Sequence, residues 1–94
     1  MHELGLAEGI LAVVLDVAAR ERVERVRVSV GALQHVAPDS LRFNFELAAQ
    51  ETLAANAVLE VEIIPGASAS VDAVKLPSGW RRRPDPRPAA VVED

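Results

Sequence analysis

The chain has 94 residues, carries a formal net charge of −4 at pH 7 and contains no cysteine. Its length suits one domain with a single core, and its acidic charge argues against binding to nucleic acid, which depends on clustered Lys and Arg. Without cysteine the chain has no thiolate nucleophile and no thiolate zinc site, so any metal must be held by His, carboxylates or backbone atoms.

The first predicted element is a helix that begins at Leu4 and ends near Arg22. Apolar residues recur in this segment at intervals of three and four, which is the pattern of a buried helical face. Glu8, Gly9 and Asp16 interrupt the apolar stretch, so it fits neither a signal peptide nor a membrane span. We therefore expect a cytoplasmic protein.

A strand and a second helix are predicted next. Residues 23–33 alternate Val with Arg and Ser, which is typical of a half-buried strand. Pro38 and Asp39 then provide residues suited to the first turn of a helix that runs to about Gln50. The side of this helix that packs on the sheet is predicted to contain Leu41, Phe45 and Ala48, joined by Phe43 and Leu47 on its flanks.

Two more strands complete the predicted fold, Leu59–Ile64 and Ala69–Leu76, with a short link between them. The predicted class is α+β, with two helices packed on one face of a three-stranded sheet in the order helix-strand-helix-strand-strand. Beyond Pro77 the composition changes to proline and arginine with little periodicity. We therefore predict a domain over residues 1–77 and a disordered tail over residues 78–94.

His2 is the first candidate metal ligand. It directly follows the terminal amine, so the amine, deprotonated backbone amides and the imidazole could surround one ion with a plane of nitrogens. Such coordination suits Ni(II) or Cu(II) and suits zinc poorly. The alternative interpretation is a solvated terminal residue, since chain termini are usually loosely held.

His35, Asp39 and Glu46 form a second candidate set. A histidine and carboxylates can bind a metal, but a closed site usually needs three or four ligands. The other interpretation, which we favour, is that His35 caps or hydrogen-bonds the entrance of the second helix.

Glu60 and Glu62 project from the same face of one predicted strand and so resemble a catalytic carboxylate pair. We favour the interpretation that they lie on the solvated face and pair with Arg25 and Arg27 across strands. No nucleophilic triad and no glycine-rich phosphate loop is recognisable in the sequence, so an enzyme is not expected.

The run Trp80–Arg83 also has two interpretations. It could dock an acidic partner through cation–π and charge contacts, or it could be a solubilising end of the chain.

Several blocks of the chain, in order, resemble the nickel-binding domain of the HypA/HybF family of hydrogenase-maturation metallochaperones. The blocks are Met1–Leu4 with the long helix after it, Val28–Leu33, Val36–Glu46 and Ala57–Glu62. The most specific parts are the initial Met-His-Glu and the pattern Pro-x-x-Leu-x-Phe-x-Phe-Glu that begins at Pro38. The likeness covers residues 1–64, and residues 71–76 resemble the strand that closes the domain.

The resemblance implies a Ni(II)-binding metallochaperone-like accessory protein for the maturation of nickel–iron hydrogenase. Nickel would be bound by the amine of Met1, the imidazole of His2 and backbone amides, including that of Glu3. The carboxylate of Glu3 is interpreted either as an accessory to this site or as a solvated charge. The implied partners are a nickel-handling GTPase and the hydrogenase large subunit, with no nucleic acid and no membrane.

The sequence departs from the family at one place. Family members carry two Cys-x-x-Cys pairs that bind structural zinc between the second strand and the closing strand, whereas here Ile64–Ser68 connects the two strands directly. No zinc is therefore expected. The alternative function is a zinc-less HypA-like module that binds a partner protein and carries no metal.

Overall fold

The computed structural model of the chain describes residues 3–82. In chain order it contains α1 (Glu3–Ala18), β1 (Arg25–Gly31), a short 3-10 helix (Ala32–Gln34), α2 (Pro38–Ala49), β2 (Val58–Ile64), β3 (Ala69–Leu76) and β4 (Gly79–Arg82). The α+β class and the two helices are thus confirmed. Helix α1 ends at Ala18 rather than near Arg22, because Ala19 has a left-handed φ of 59° that an α-helix cannot continue.

The four strands form one sheet in the order β2-β1-β3-β4. Strand β1 is parallel to β2 and antiparallel to β3, and β4 is antiparallel to β3. A parallel pair requires a crossover connection, and α2 provides it between β1 and β2. Because side chains alternate along β1, Val26, Val28 and Val30 are buried while Arg25 and Arg27 lie on the opposite, open face.

The core lies between the two helices and the face of the sheet that carries the buried valines of β1. No polar or charged side chain among residues 3–82 is buried, so the fold is held mainly by apolar burial. The helices contribute Leu6, Ala7, Ile10, Leu11, Val14 and Ala18 from α1 and Leu41, Phe45 and Ala49 from α2.

The prediction of a three-stranded sheet is wrong, because Gly79–Arg82 form the fourth strand. A turn at Pro77 and Ser78 reverses the chain, and Gly79 adopts a φ of 128°, a conformation suited to glycine. The beginning of the predicted tail is therefore part of the sheet. The rest of that tail, residues 83–94, lies outside the described residues.

Long-range contacts hold β4 in place. The guanidinium carbon of Arg27 lies 4.2 Å from the centroid of the Trp80 ring. The Ser78 hydroxyl donates to Glu21 at 2.7 Å, and Arg81 Nη2 donates to the same carboxylate at 3.2 Å. The hydrogen bond from the Ser78 hydroxyl, then that from the Ser78 backbone N–H, and finally the charge of Arg81 lower the pKa of Glu21. Because Arg27 and Glu21, which hold β4, are far from it in the sequence, periodicity within residues 78–82 does not reveal this strand.

The link between β2 and β3 is bonded to the 3-10 helix after β1. The backbone N–H of Gly31 donates to Ser68 O at 2.6 Å, and that of Leu33 donates to Gly66 O at 2.8 Å. The side-chain amide of Gln34 donates to Ala67 O. A Cβ at residue 31 would lie 2.3 Å from Gly66 O, so this close approach requires glycine at position 31.

Candidate metal centre

One of the three predicted nickel ligands, Glu3, lies among the residues that the structure describes. Met1 and His2 are outside the described residues, and Glu3 is the first residue of the helix. Its carboxylate lies in the first turn, where a negative charge is favoured by the helix dipole. The geometry of the three-residue site therefore stays a prediction.

Helix α1 nevertheless gives the proposed site two useful properties. The first N–H groups of an α-helix have no acceptor within the helix, so the amide nitrogen of Glu3 can bind a metal without breaking a helical hydrogen bond. The helix is also fixed to the core from its first turn, since Leu6, Ala7 and Ile10 are all buried. A metal bound before Leu6 would thus be attached to an anchored element.

The second candidate set is not assembled as a metal site. Asp39 accepts a hydrogen bond from Arg42 Nη1 at 2.7 Å, and His35 is exposed, with a left-handed φ of 55°. Within residues 3–82 no group of three or more His, Asp or Glu side chains could hold a metal ion.

The prediction that His35 caps the second helix is wrong. The residue that precedes α2 is Ala37, and no side chain caps its N-terminus. His35 instead ends the 3-10 helix, where its backbone N–H donates to Ala32 O at 3.2 Å. Pro38 at the start of α2 leaves one helical N–H fewer to satisfy, which reduces the need for a side-chain cap.

Glu60 forms the predicted ion pairs on the open face of the sheet. Its carboxylate oxygens lie 3.0 Å from Arg27 Nε and 2.6 Å from Arg25 Nη1. The hydrogen bond from Arg27, and then that from Arg25, lower the pKa of Glu60 below its ordinary value. A carboxylate held ionised in this way is poorly suited to donate a proton near neutral pH, which agrees with the structural interpretation of Glu60. Glu62 is exposed on the same face but forms no ion pair with another residue between Glu3 and Arg82, so the predicted pairing holds for Glu60 alone.

The Trp80–Arg83 run is partly explained by the fold. Trp80 stacks with Arg27, and Arg81 pairs with Glu21, so two of its side chains hold β4 in the sheet. Arg82 ends the strand, and Arg83 lies outside the described residues.

Two features of α2 were missed by the sequence reasoning. Phe43 and Leu47 were expected to join the packed side of the helix, but they are 61% and 47% exposed. Since each residue turns the helix by about 100°, Phe43 points away from both Leu41 and Phe45, two positions on either side. A groove of about 530 Å³ also opens between α2 and β2; it depends on tertiary packing and has no local sequence signal.

The protein-family model that matches this chain is "Hydrogenase/urease nickel incorporation, metallochaperone, hypA", over residues 1–72. The hydrogenase maturation factor HypA of Trichormus variabilis is 41% identical over 66 residues, which make up 70% of this chain and 58% of the relative. That of Rhodopseudomonas palustris is 34% identical over an alignment of 90 positions, which covers 92% of this chain and 80% of the relative. The chain thus spans about three-fifths of the length of the first of these relatives.

The fold also has a solved counterpart. The solution structure of the nickel metallochaperone HypA from Helicobacter pylori matches 88% of this chain and 94% of its own chain, with a TM-score of 0.60 and 16% identity. At that identity the comparison supports the fold. In the part of the chain from Glu3 to Arg82, no helix is long and apolar enough to cross a membrane.

Proposed function

The chain belongs to the HypA family of nickel-incorporation metallochaperones, and on this premise we propose that it binds Ni(II) at Met1–Glu3 and passes it to a maturing nickel enzyme. The family consists of maturation factors rather than enzymes. The observation that carries the proposal is the extent of the family match, which begins at residue 1 and includes the Met-His-Glu start.

The proposed ligands are the terminal amine of Met1, the imidazole of His2 and the backbone amides of His2 and Glu3. A plane of four nitrogens suits Ni(II). The Glu3 amide has no helical acceptor to give up. The buried residues in the first turns of α1 fix the start of the helix, and with it the proposed site, to the core. Because amide protons must be lost on binding, nickel affinity should fall as the pH drops.

The proposal includes the partners and compartment implied by the family. We propose delivery to the hydrogenase large subunit with the help of a nickel-handling GTPase, in the cytoplasm. We also propose that the domain, with β4 as part of it, carries the nickel function without structural zinc. The chain has no cysteine thiolate, and the short link between β2 and β3 is held by hydrogen bonds from Gly31 to Ser68 O and from Leu33 to Gly66 O.

The test is nickel titration of the untagged chain by calorimetry and absorption spectroscopy. We expect one Ni(II) per chain, with the absorption of a square-planar complex. Binding should be lost when a short N-terminal extension blocks the amine, and also in His2→Ala. The matched control is His35→Ala, which removes the other histidine and should bind nickel normally.

Two outcomes would reject the proposal. If the untagged chain binds no nickel, or if the extension leaves binding intact, the metal is not held at Met1–Glu3. If His2→Ala still supports maturation of a nickel enzyme in cells, the alternative of a metal-free interaction module gains support.

A further inference from the structure

The outer face of α2 carries an apolar pair that the fold leaves uncovered. Phe43 and Leu47 lie one helical turn apart on the same side of the helix, and they are 61% and 47% exposed. The neighbouring Phe45 is only 1% exposed, so the domain already fills its core from the opposite side of α2. Single exposed apolar residues are ordinary, but an adjacent pair forms a patch that a partner can cover.

Acidic residues lie close to this pair in the chain. Glu46 precedes Leu47 within α2, and Glu51 follows the end of the helix. Both are exposed, and neither forms an ion pair with another residue between Glu3 and Arg82. Arg42 is the cation of α2, and its guanidinium donates to Asp39 at 2.7 Å and to the Leu59 carbonyl at 3.2 Å. The charge presented around the apolar pair is therefore negative.

The groove between α2 and β2 extends the same surface. Its polar lining consists of Arg42, Glu46, Gln50 and Asn56. The Arg42 guanidinium is already bonded to Asp39 and to the Leu59 carbonyl, so a cationic side chain would enter on the side of the Glu46 carboxylate and the two amide groups. Long cationic side chains can lay an apolar stem on such a surface while the charged end reaches the acceptors. The groove lies beside the apolar pair because Glu46, which lines the groove, directly precedes Leu47 in α2.

We propose that this face of α2, comprising Phe43, Leu47, Glu46 and Glu51 with the adjoining groove, docks an amphipathic basic segment of another protein. The segment has apolar anchors for Phe43 and Leu47 and Lys or Arg residues for the carboxylates. A second copy of the chain fits poorly, because a two-fold dimer through α2 would place each acidic face against its own copy. The acidic border equally disfavours anionic membranes and nucleic acid.

The test uses a synthetic helical peptide of Leu and Lys, with Leu at positions i and i+4, added to the metal-free 15N-labelled chain. Amide shifts should concentrate in α2 and residues 50–59, and affinity should weaken with salt. A peptide with Glu in place of Lys, and one with Ser in place of Leu, should bind at least roughly tenfold more weakly. No nickel is present, so failure here is distinct from failure of the nickel site.

Matched variants locate the binding on α2. Phe43→Ser with Leu47→Ser should lower peptide affinity at least roughly tenfold, whereas Leu33→Ser, at a 63% exposed residue of the 3-10 helix, should leave it unchanged. Glu46→Lys should weaken binding, and Glu62→Lys on the open face of β2 should not. Circular dichroism checks that each variant is folded.

Three results would overturn the inference. The first is no binding of the Lys peptide to the folded chain. The second is binding that survives the Phe43 and Leu47 substitutions or maps to the open face of the sheet. The third is concentration-dependent dimerisation that these substitutions abolish, which would assign the face to a second copy.

Discussion

Substitution of Gly31 by alanine should destabilise the domain through one steric contact. The added Cβ would lie 2.3 Å from the oxygen and 2.6 Å from the carbon of Gly66, and 2.8 Å from the nitrogen of Ala67. All three are backbone atoms, so no flexible side chain can move aside. The backbone of Gly31 has φ −65° and ψ 139°, which alanine adopts readily, and the penalty is therefore one of space alone.

The size of the loss in folding stability follows from the backbone that Gly31→Ala would displace. Overpacking of this kind costs about 1–3 kcal/mol. If the link shifts away, it weakens the hydrogen bonds from Gly31 to Ser68 and from Leu33 to Gly66, now 2.6 and 2.8 Å long, each worth about 1 kcal/mol. We expect a loss of about 2–4 kcal/mol, a large part of the roughly 5–15 kcal/mol typical of a domain. The midpoint of thermal unfolding should drop by roughly 10–30 °C.

Urea unfolding followed by circular dichroism measures this loss, and Gly9→Ala is the matched control. Gly9 lies within α1, and a Cβ added there has no atom within 4 Å, so the same substitution should stabilise the chain by about 0.5–1 kcal/mol. If Gly31→Ala is as stable as the natural chain, the close approach of the link is refuted. A gain in both variants would mean that unfolded-state entropy alone decides the effect.

Three further predictions concern the core, the open face and the end of the domain. Phe45→Ala should cost about 3–5 kcal/mol in urea unfolding because Phe45 is 1% exposed, whereas Phe43→Ala should stay within about 0.5 kcal/mol; similar losses in both would contradict the described orientation of α2. The pKa of Glu60 is lowered in the folded state from an ordinary value of 4.5. The ionised Glu60 side chain therefore stabilises the folded chain fully above that pH, and this contribution is lost as the pH falls through the lower folded-state pKa. The unfolding free energy measured across this range should therefore decline less steeply in Glu60→Gln, and an unchanged slope would mean that the arginine contacts do not persist in solution. A chain ending at Pro77 should be less stable, by at least about 1 kcal/mol, than one ending at Arg82, because it lacks β4 and the stacked tryptophan; equal thermal midpoints would show that β4 adds nothing.

Much of the fold could be predicted because it is encoded locally. Strand β3 has the predicted bounds Ala69–Leu76, and α2 begins at Pro38 as expected from its helix-starting residues. The ion pairs of Glu60 were also foreseen, because alternation places oppositely charged side chains on one face of the sheet. Periodicity and turn residues suffice for features of this kind.

The features that were missed depend on tertiary contacts. Strand β4 is short, and its stacking with Arg27 and its bonds to Glu21 join residues distant in the sequence. The exposure of Phe43 could have been anticipated from helical geometry, but its apolar character argued for burial. The nickel ligands were assigned through family resemblance and terminal chemistry, and their arrangement stays a prediction because Met1 and His2 lie outside the described residues.

The interior position of β1 in the sheet has a consequence for synthesis of the chain. Val26 is paired with Leu59 on one side and with Val74 on the other, so β1 leaves the ribosome well before either neighbour. Strands this far apart in the sequence pair late in folding, because the entropy of the chain between them must be lost before they meet. The N-terminal residues are made first, yet the sheet that supports α1 is complete only after β4 has emerged. Any role of the N-terminus that needs α1 anchored on the complete sheet begins only once synthesis has passed Arg82.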